Sequence, residues 1–488
     1  MLRPAPLRVR AGRGSTTEYG RAVALDEVSY NYPSRVSART YEPTLTVAWK
    51  SGIGTLTSRT SYGWRKFGID FDFDGSYRDL GFSAGRTGSR TFQTQVDYAI
   101  DAIDRLDLVI GGLYYDDQMR PADPFRNSDP SGYTTITYGP GLSPLTGSTS
   151  NFDTTSYAIF ADATYHLTDR LALNLGGRYS HDKRQAEEFI RNFVTNVQSL
   201  PVTKAVAEFS KFTPRASVRY ELAPRTNVYA SYSVGYRSGA FPPNIVSTPA
   251  QLVPVRPETL KAYEAGFKTA GRNLRAEVAA FYYDYRNYNV SIIAINPVTQ
   301  SLTSIVGNAP KATIKGIEAQ VAFTPIPETN ITFAGSYLHA RYGRFPNASG
   351  TGLNAMTNLN IGGQTQDWTG KQMSRAPDFS ATASLDRTFD LFGGELVAAG
   401  TLAYSDSYVI TNPSLFGPLA APELRDKQRY RQGKTTFLNA QLNWTDPSGH
   451  YLVGVYGKNI FNEKFRATYS GSALYGDYGV AGQPVTYG

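Results

Sequence analysis

The sequence predicts an all-β protein: a transmembrane antiparallel up-and-down β-barrel. Three observations predict it. The composition is rich in aromatics and turn formers yet has no long apolar run, long stretches alternate apolar and polar residues, and the connections between those stretches are alternately short and long.

The composition comes first. The chain has 488 residues, enough for several globular domains or one large barrel. It contains 34 tyrosines, 25 phenylalanines and 45 glycines, a mixture of strand formers and turn residues. No apolar run reaches the roughly 18 residues a membrane-spanning helix needs. Mean hydropathy is -0.34, which in a helical protein would argue against a membrane location. A barrel escapes that inference, because only alternate residues of each strand face lipid. The chain has no cysteine, so disulfide frameworks and thiolate metal sites are excluded. His166, His181, His339 and His450 are scattered singly and read as strand or turn residues, so no cofactor and no metal are expected. The net charge of +8 comes from 49 basic and 41 acidic residues spread along the chain, without the basic block that nucleic acid would require.

The alternation is clearest at Leu171 to Tyr179. There Leu171, Leu173, Leu175 and Tyr179 alternate with Ala172, Asn174, Gly176 and Arg178. Val228, Ala230, Tyr232, Val234 and Tyr236 oppose Ser231, Ser233 and Arg237 in the same way, and Phe212, Ala216, Val218, Tyr220 and Leu222 oppose Thr213, Arg215, Ser217, Arg219 and Glu221. One set suits lipid and the other a polar lumen. Soluble sandwiches alternate too, but their strands commonly run about 5–6 residues, whereas a tilted membrane strand needs roughly 9–11. Counting from Thr44 gives about 16 such strands. Aromatic clusters at strand ends, such as Tyr114 and Tyr115, Tyr282, Tyr283 and Tyr285, and Phe461 with Phe465, suit a membrane interface, although cross-strand packing would also use them.

The connections complete the pattern. Short polar turns fall at Ser51 to Gly54, Asp101 to Asp104, Leu167 to Arg170, Ala223 to Thr226, Ala270 to Asn273, Pro325 to Thr329, Asp390 to Gly394 and Asp446 to Gly449. Longer Gly/Pro/Ser/Asn-rich segments lie between them: Gly75 to Ser89, Arg120 to Ser150, Gly239 to Pro257, Gly343 to Pro377 and Asp406 to Lys434. Outer-membrane barrels have short periplasmic turns and long extracellular loops.

Four segments carry a resemblance to a known family. Arg256 to Lys268 reads RPETLKAYEAGFK, Asn308 to Gln320 reads NAPKATIKGIEAQ, Val455 to Phe465 reads VYGKNIFNEKF, and Gln483 to Gly488 reads QPVTYG. In this order and spacing, with weaker similarity at Gly54 to Asp74 and Thr91 to Met119, they resemble TonB-dependent receptor barrels. The resemblance implies a 22-stranded barrel filled by an N-terminal plug. It also implies import of a siderophore, cobalamin, haem, sugar or similar scarce solute with energy passed by TonB. No plug or TonB box precedes Thr44, and the sequence stops at Tyr487-Gly488, where the final strand is expected to begin. The expectation is therefore an irregular segment over 1–43 and a barrel over 44–488 incomplete at both ends, matching about strands 6 through 21 of the family. Arg3, Arg8, Arg10 and Arg13 open the chain without the apolar stretch of a secretory signal, so the chain is expected to start part-way into its gene product. Such a wall is expected not to close normally, to leave two aggregation-prone edges, and not to transport alone.

Within the motifs, Glu264, Gly266 and Lys268 share one strand face and Tyr263, Ala265 and Phe267 the other; Gly316, Glu318 and Gln320 oppose Ile317, Ala319, Val321 and Phe323. The charges would line the lumen. Arg215, Arg219, Arg237, Glu264, Lys268 and Glu318 are the candidate substrate-path residues. The alternative, favoured for any single one of them, is a charge ladder that braces the wall. Gly81 to Gly85 matches GxSxG but is expected in a Gly-rich loop, without the strand-to-helix turn a nucleophile elbow needs. Asp70 to Gly75 begins like a calcium loop, but its twelfth position is Gly81 instead of a bidentate Glu; its three aspartates share one face near a strand end and could bind a cation weakly. The reading is an energy-coupled outer-membrane importer without covalent chemistry, whose partners are outer-membrane lipid, the TonB complex through a plug, and a solute such as a ferric siderophore. A passive porin-like channel and a soluble all-β binding protein or enzyme are the rivals. A plug encoded upstream would exclude the first, and extraction without detergent would favour the second.

Overall fold

The computed structural model describes residues 32, 34–72, 81–122, 131–139, 144–242, 248–295, 302–356, 359–472 and 476–488. The chain runs up and down through β1 (Arg35–Tyr41), β2 (Thr44–Lys50), β3 (Gly54–Asp72), β4 (Phe82–Ile103), β5 (Leu106–Pro121), β6 (Thr135–Tyr138), β7 (Pro144–His166) and β8 (Leu171–Asn192). It continues through β9 (Val197–Ala223), β10 (Thr226–Arg237), β11 (Glu258–Ala270), β12 (Leu274–Ile295), β13 (Leu302–Phe323) and β14 (Thr329–Tyr342). After the hairpin β15 (Ala348–Asn354) and β16 (Leu359–Gln366) come β17 (Phe379–Leu391) and β18 (Gly394–Ser405). The short pair β19 (Tyr408–Val409) and β20 (Arg431–Gln432) precedes β21 (Thr435–Thr445) and β22 (Leu452–Lys458). The hairpin β23 (Arg466–Ser472) and β24 (Gly476–Ala481) leads to β25 (Thr486–Tyr487).

Nineteen of these strands form one antiparallel sheet, the wall of a barrel, with each long strand hydrogen-bonded to the next in sequence. β1 and β2 both pair with β3 at one margin, and β25 pairs with β22 at the other. Among the described residues no ladder joins the two margins. Arg35–Tyr41, expected to be irregular, is a strand in register with Trp64 to Asp70.

Alternation sets the two faces. Along β12, Leu274, Val278 and Tyr282 are exposed, and their cross-strand partners are Phe323, Ala319 and Lys315 on β13 and Phe267 and Tyr263 on β11. The apolar row continues through Ile317 and Tyr337, Phe333 and Ala383, and Leu402 and Leu438. In β12 it covers Leu274 to Tyr282 only. That is nine residues, the span of a tilted membrane strand, although the strand itself is 22 residues long. The remainder, bearing Asp284 and Arg286, rises beyond the belt at the long-loop end. Tyr232, Tyr263 and Tyr282 form a row of rings at that boundary, with centroids 5.0 and 6.3 Å apart.

The short turns lie at one end of the wall where the sequence places them, except that the one expected at Asp101 to Asp104 falls at Asp104 and Arg105, because β4 runs on to Ile103. Arg105, Arg225, Glu328 and Phe392 take left-handed backbone there, which tight two-strand reversals require. At the other end, sequence expectation and structure differ. β4 begins at Phe82 and β5 ends at Pro121, so parts of the stretches expected as loops over Gly75 to Ser89 and Arg120 to Ser150 are strand. GxSxG is likewise corrected: Phe82 to Gly85 belongs to β4 and pairs with β6. Asp70 of the calcium-like stretch is held by Arg86 at 2.6 Å; residues 73–80 lie outside the described residues.

Candidate functional site

The polar face of β9 to β14 brings most of the predicted path residues onto one surface. Tyr229 on β10 stands directly opposite Gly266 on β11. A Cβ at Gly266 would meet the Tyr229 ring at 2.6 Å, so the missing side chain makes room for the ring. The ring's hydroxyl then donates to Glu264 at 2.6 Å, and its face takes the Lys268 ammonium 5.6 Å from the centroid. Lys268 pairs with Glu277 at 3.3 Å. Next to them a depression of about 350 Å³ is lined by Tyr229, Lys268, Glu277, Glu318, Gln320 and Ser336, among others. Gly316 repeats the device, since a Cβ there would meet Phe281 at 2.9 Å.

The other predicted residues divide. Arg215 is bound to Asp162, with Nε donating at 2.6 Å and Nη2 at 2.5 Å, while Asn174 donates to the same carboxylate at 2.8 Å. Arg219 lies opposite Tyr229 and Arg237 opposite Glu258. Both are exposed, and neither is in an ion pair among the described residues. Glu264, Lys268 and Glu318 thus cluster, Arg219 adjoins them through Tyr229, Arg215 is held by Asp162, and Arg237 sits at the upper end of β10. Sequence reasoning missed Asp162, Tyr229 and Glu277. Face parity could have flagged each, but not the partner it meets across strands. The arrangement offers a hydrated wall of compensated charge, and its chemistry is hydrogen bonding and ion pairing.

Two of the motif segments clasp each other above this wall. The Asn308 amide donates to the Arg256 and Asn287 carbonyls and to Asn289 Oδ1 at 3.1, 2.8 and 2.7 Å, and its oxygen accepts from Arg256 N at 2.8 Å. Asn287, with a φ of 53°, donates to the Pro257 carbonyl, and Glu258 accepts from Asn289 N. The NA of one motif therefore fastens the RPE of the other. Asn459 does the same at the end of β22. It donates to the Glu463 and Gln483 carbonyls, so NIFNE and QPVTYG are held together.

The described parts of three long connections, 343–378, 406–434 and 459–485, fold into one cap at the mouth. Trp368, Tyr342, Phe345, Met373 and Leu415 are buried together against the upper ends of β12 to β14. The centre of the cap is Arg429, whose side chain is 1% exposed. Its guanidinium donates to the Thr351 and Gly352 carbonyls at 3.0 and 2.6 Å, to Asn360 at 2.6 Å and to Asp477 at 2.7 Å, one contact set from each of the other two connections. Gln366 adds a two-way bond with the Leu415 backbone and accepts from Trp368 Nε1. Arg341 at the top of β14 grips Asp378 with two bonds of 2.9 and 2.7 Å, which hold that loop carboxyl below its usual range.

The comparisons with known proteins agree with this architecture. The family described as TonB dependent receptor-like, beta-barrel, matches residues 5–460. The pesticin receptor of Yersinia pestis is 22% identical over 325 residues, 66% of this chain and 41% of that protein, and the Yersinia enterocolitica pesticin receptor matches over the same shares. The chain therefore spans about two fifths of the length of these relatives. Among solved structures, the ferric yersiniabactin uptake receptor FyuA from Yersinia pestis superposes with a TM-score of 0.71 at 16% identity, over 93% of this chain and 60% of that one. The ferric citrate transporter FecA gives 0.64 at 14%, over 93% and 61%. The copper transporter OprC gives 0.62 at 12%, over 94% and 68%. With the family matched along nearly its whole length and the fold shared with receptor barrels, this chain belongs to the TonB-dependent receptor-like β-barrel family.

Proposed function

We propose that this chain is the barrel of an outer-membrane receptor that imports a large scarce solute, of the ferric-siderophore kind, with energy from TonB. The observation that carries the reading is the division of one wall into an apolar outer belt nine residues deep and a charge-compensated inner face, beneath a folded cap. Family membership and the siderophore and ferric-complex names borne by several relatives support it. In this reading the plug meets the inner face through Glu264, Lys268, Glu277 and Glu318. Arg219 and Arg237, the two predicted arginines outside ion pairs, meet an anionic solute. The family is one of receptors and not of enzymes, and the inner face works by binding alone.

The test is uptake of radiolabelled ferric siderophores by iron-limited cells whose only such receptor is the full-length protein. Import that stops when TonB is deleted or the proton gradient is dissipated is the expected result. Arg237→Gln should lower uptake severalfold while surface expression stays constant. Import that is indifferent to TonB, with open-channel conductance in planar bilayers, would instead establish a passive channel.

A further inference from the structure

The outer surface of the wall is not uniform just above the tyrosine row. Directly beyond Tyr263, Tyr282 and Tyr337, on the lipid-facing parity of each strand, come Lys261 on β11, Asp284 and Arg286 on β12, and Lys311 and Lys315 on β13. Lys261, Arg286 and Lys315 are exposed. Asp284 is the single acid among them, 3.5 Å from Lys311 and 3.7 Å from Arg286, longer than a charge-assisted hydrogen bond. Arg286 and Lys311 are ladder partners, so two cations stand opposite each other and share the one carboxylate of Asp284. Lys261 and Lys315 are in no ion pair among the described residues. The patch thus carries four cations against one carboxylate over three strands, roughly 10 Å across and 13 Å along them.

The same level on part of the neighbouring wall is balanced. On β5 to β9, Arg120 is bound to Asp153 at 2.6 Å and Lys204 to Glu187 at 2.7 Å, with Asp116, Lys183 and Glu208 beside them. Excess cations just outside the aromatic row, at the long-loop end, stand where the headgroups of the outer leaflet lie. Lys315 reaches that level from the edge of the apolar belt with its stem along the wall.

We propose that the outer face of β11–β13 between Lys261 and Lys315 binds the phosphate-bearing sugar headgroup of an outer-leaflet glycolipid. The proposal rests on the outer-membrane reading above. Lys261 and Lys315 approach one phosphate from opposite sides, and the Arg286–Lys311 pair takes a second above Asp284. The bound lipid would anchor this sector of the wall beneath the Arg341–Asp378 grip of the cap.

The test places the full-length receptor in phosphatidylcholine nanodiscs containing either bisphosphorylated lipid A or its dephosphorylated counterpart, and counts retained glycolipid by mass spectrometry after detergent exchange. Wild-type protein should retain the phosphorylated lipid and release the other. Lys261→Gln with Lys315→Gln should lower retention about thirtyfold, from the loss of two cations near an anionic surface, and Arg286→Gln with Lys311→Gln should act similarly. Lys183→Gln with Lys204→Gln, in the balanced sector, should change nothing. Equal retention of the two lipids, or equal retention by the patch and control variants, overturns the proposal. Outer-membrane fractionation and heat-modifiable gel mobility are read on the same samples. Their loss in the wild type sinks the membrane reading, whereas lost lipid selectivity with both intact sinks only the patch.

Discussion

At the scale of single residues, the family's short motifs resolve into contacts. Gly266 is a place for a ring: Tyr229 lies across it and thereby reaches Glu264 and Lys268 at once. Gly266→Val should push the ring away, breaking its bond to Glu264 at a cost of about 1–3 kcal/mol, whereas Tyr229→Ala in the same background should add little. Unfolding monitored by heat-modifiable gel mobility of the full-length protein, over the double-mutant cycle, checks this; independent effects of the two changes would refute it. Asn308 is a clasp. Asn308→Ala leaves the Arg256 N–H and the carbonyls around it without their partner and should cost about 1–3 kcal/mol, with protease sensitivity rising first near 256 and 287. Protection unchanged at both places would show that the clasp holds nothing.

At the scale of elements, the cap depends on bonds between connections far apart in sequence. Arg429→Met keeps much of the side-chain volume but removes every donor to 351–352, Asn360 and Asp477. Hydrogen exchange should then quicken together in 343–366 and 459–485, with the strands of the wall unaffected. Exchange that quickens only around 429 would mean the connections are independent. The Asp378 pair gives the cap a pH dependence. Arg341 lowers the carboxyl's pKa, so the pair's contribution is complete above the ordinary carboxylate pKa and is lost as pH falls through the lowered folded value. Protection factors at 371–378, corrected for the intrinsic pH dependence of amide exchange, should fall on acidification in the wild type and be unchanged by the same acid step in Asp378→Asn. These elements also mark the limit of what the sequence discloses. The long strands were legible because apolar and polar residues alternate along them, and the short turns because two residues must reverse the chain. β15 and β16 were read as loop because their Gly, Ser, Thr and Asn residues face neither lipid nor a long apolar core and pair within a small hairpin. The start of β4 was hidden by its glycines, although Phe82 and Ala84 pack there in a small buried cluster with Tyr133, Ile136 and Tyr138. For Arg215 and Lys268 the face was legible, but the partners Asp162 and Glu277 follow from strand register, which a list of residues does not contain.

At the scale of the whole molecule, one wall carries an apolar and a polar face, and the boundary between them runs between consecutive residues. Val278 and Glu277 are neighbours in β12, yet Val278 lies midway along the apolar row between Phe267 and Ala319, while Glu277 lines the inner depression beside Lys268. If the belt is embedded in lipid, Val278→Arg places a charge near the bilayer midplane and should cost about 2–4 kcal/mol. Tyr263→Arg, at the row of rings, should cost about 0–1 kcal/mol beyond the lost aromatic contacts, because the charge reaches the interface. Glu277→Gln breaks a pair that is half exposed on both sides, and its effect should be small. Unfolding equilibria of the full-length protein in lipid vesicles, compared with detergent micelles, separate the cases. Only the depth-dependent cost at Val278 is tied to the bilayer, so a Val278→Arg penalty no larger than that of Tyr263→Arg would mean that the apolar belt does not meet lipid, and that the wall covers its outer face in some other way.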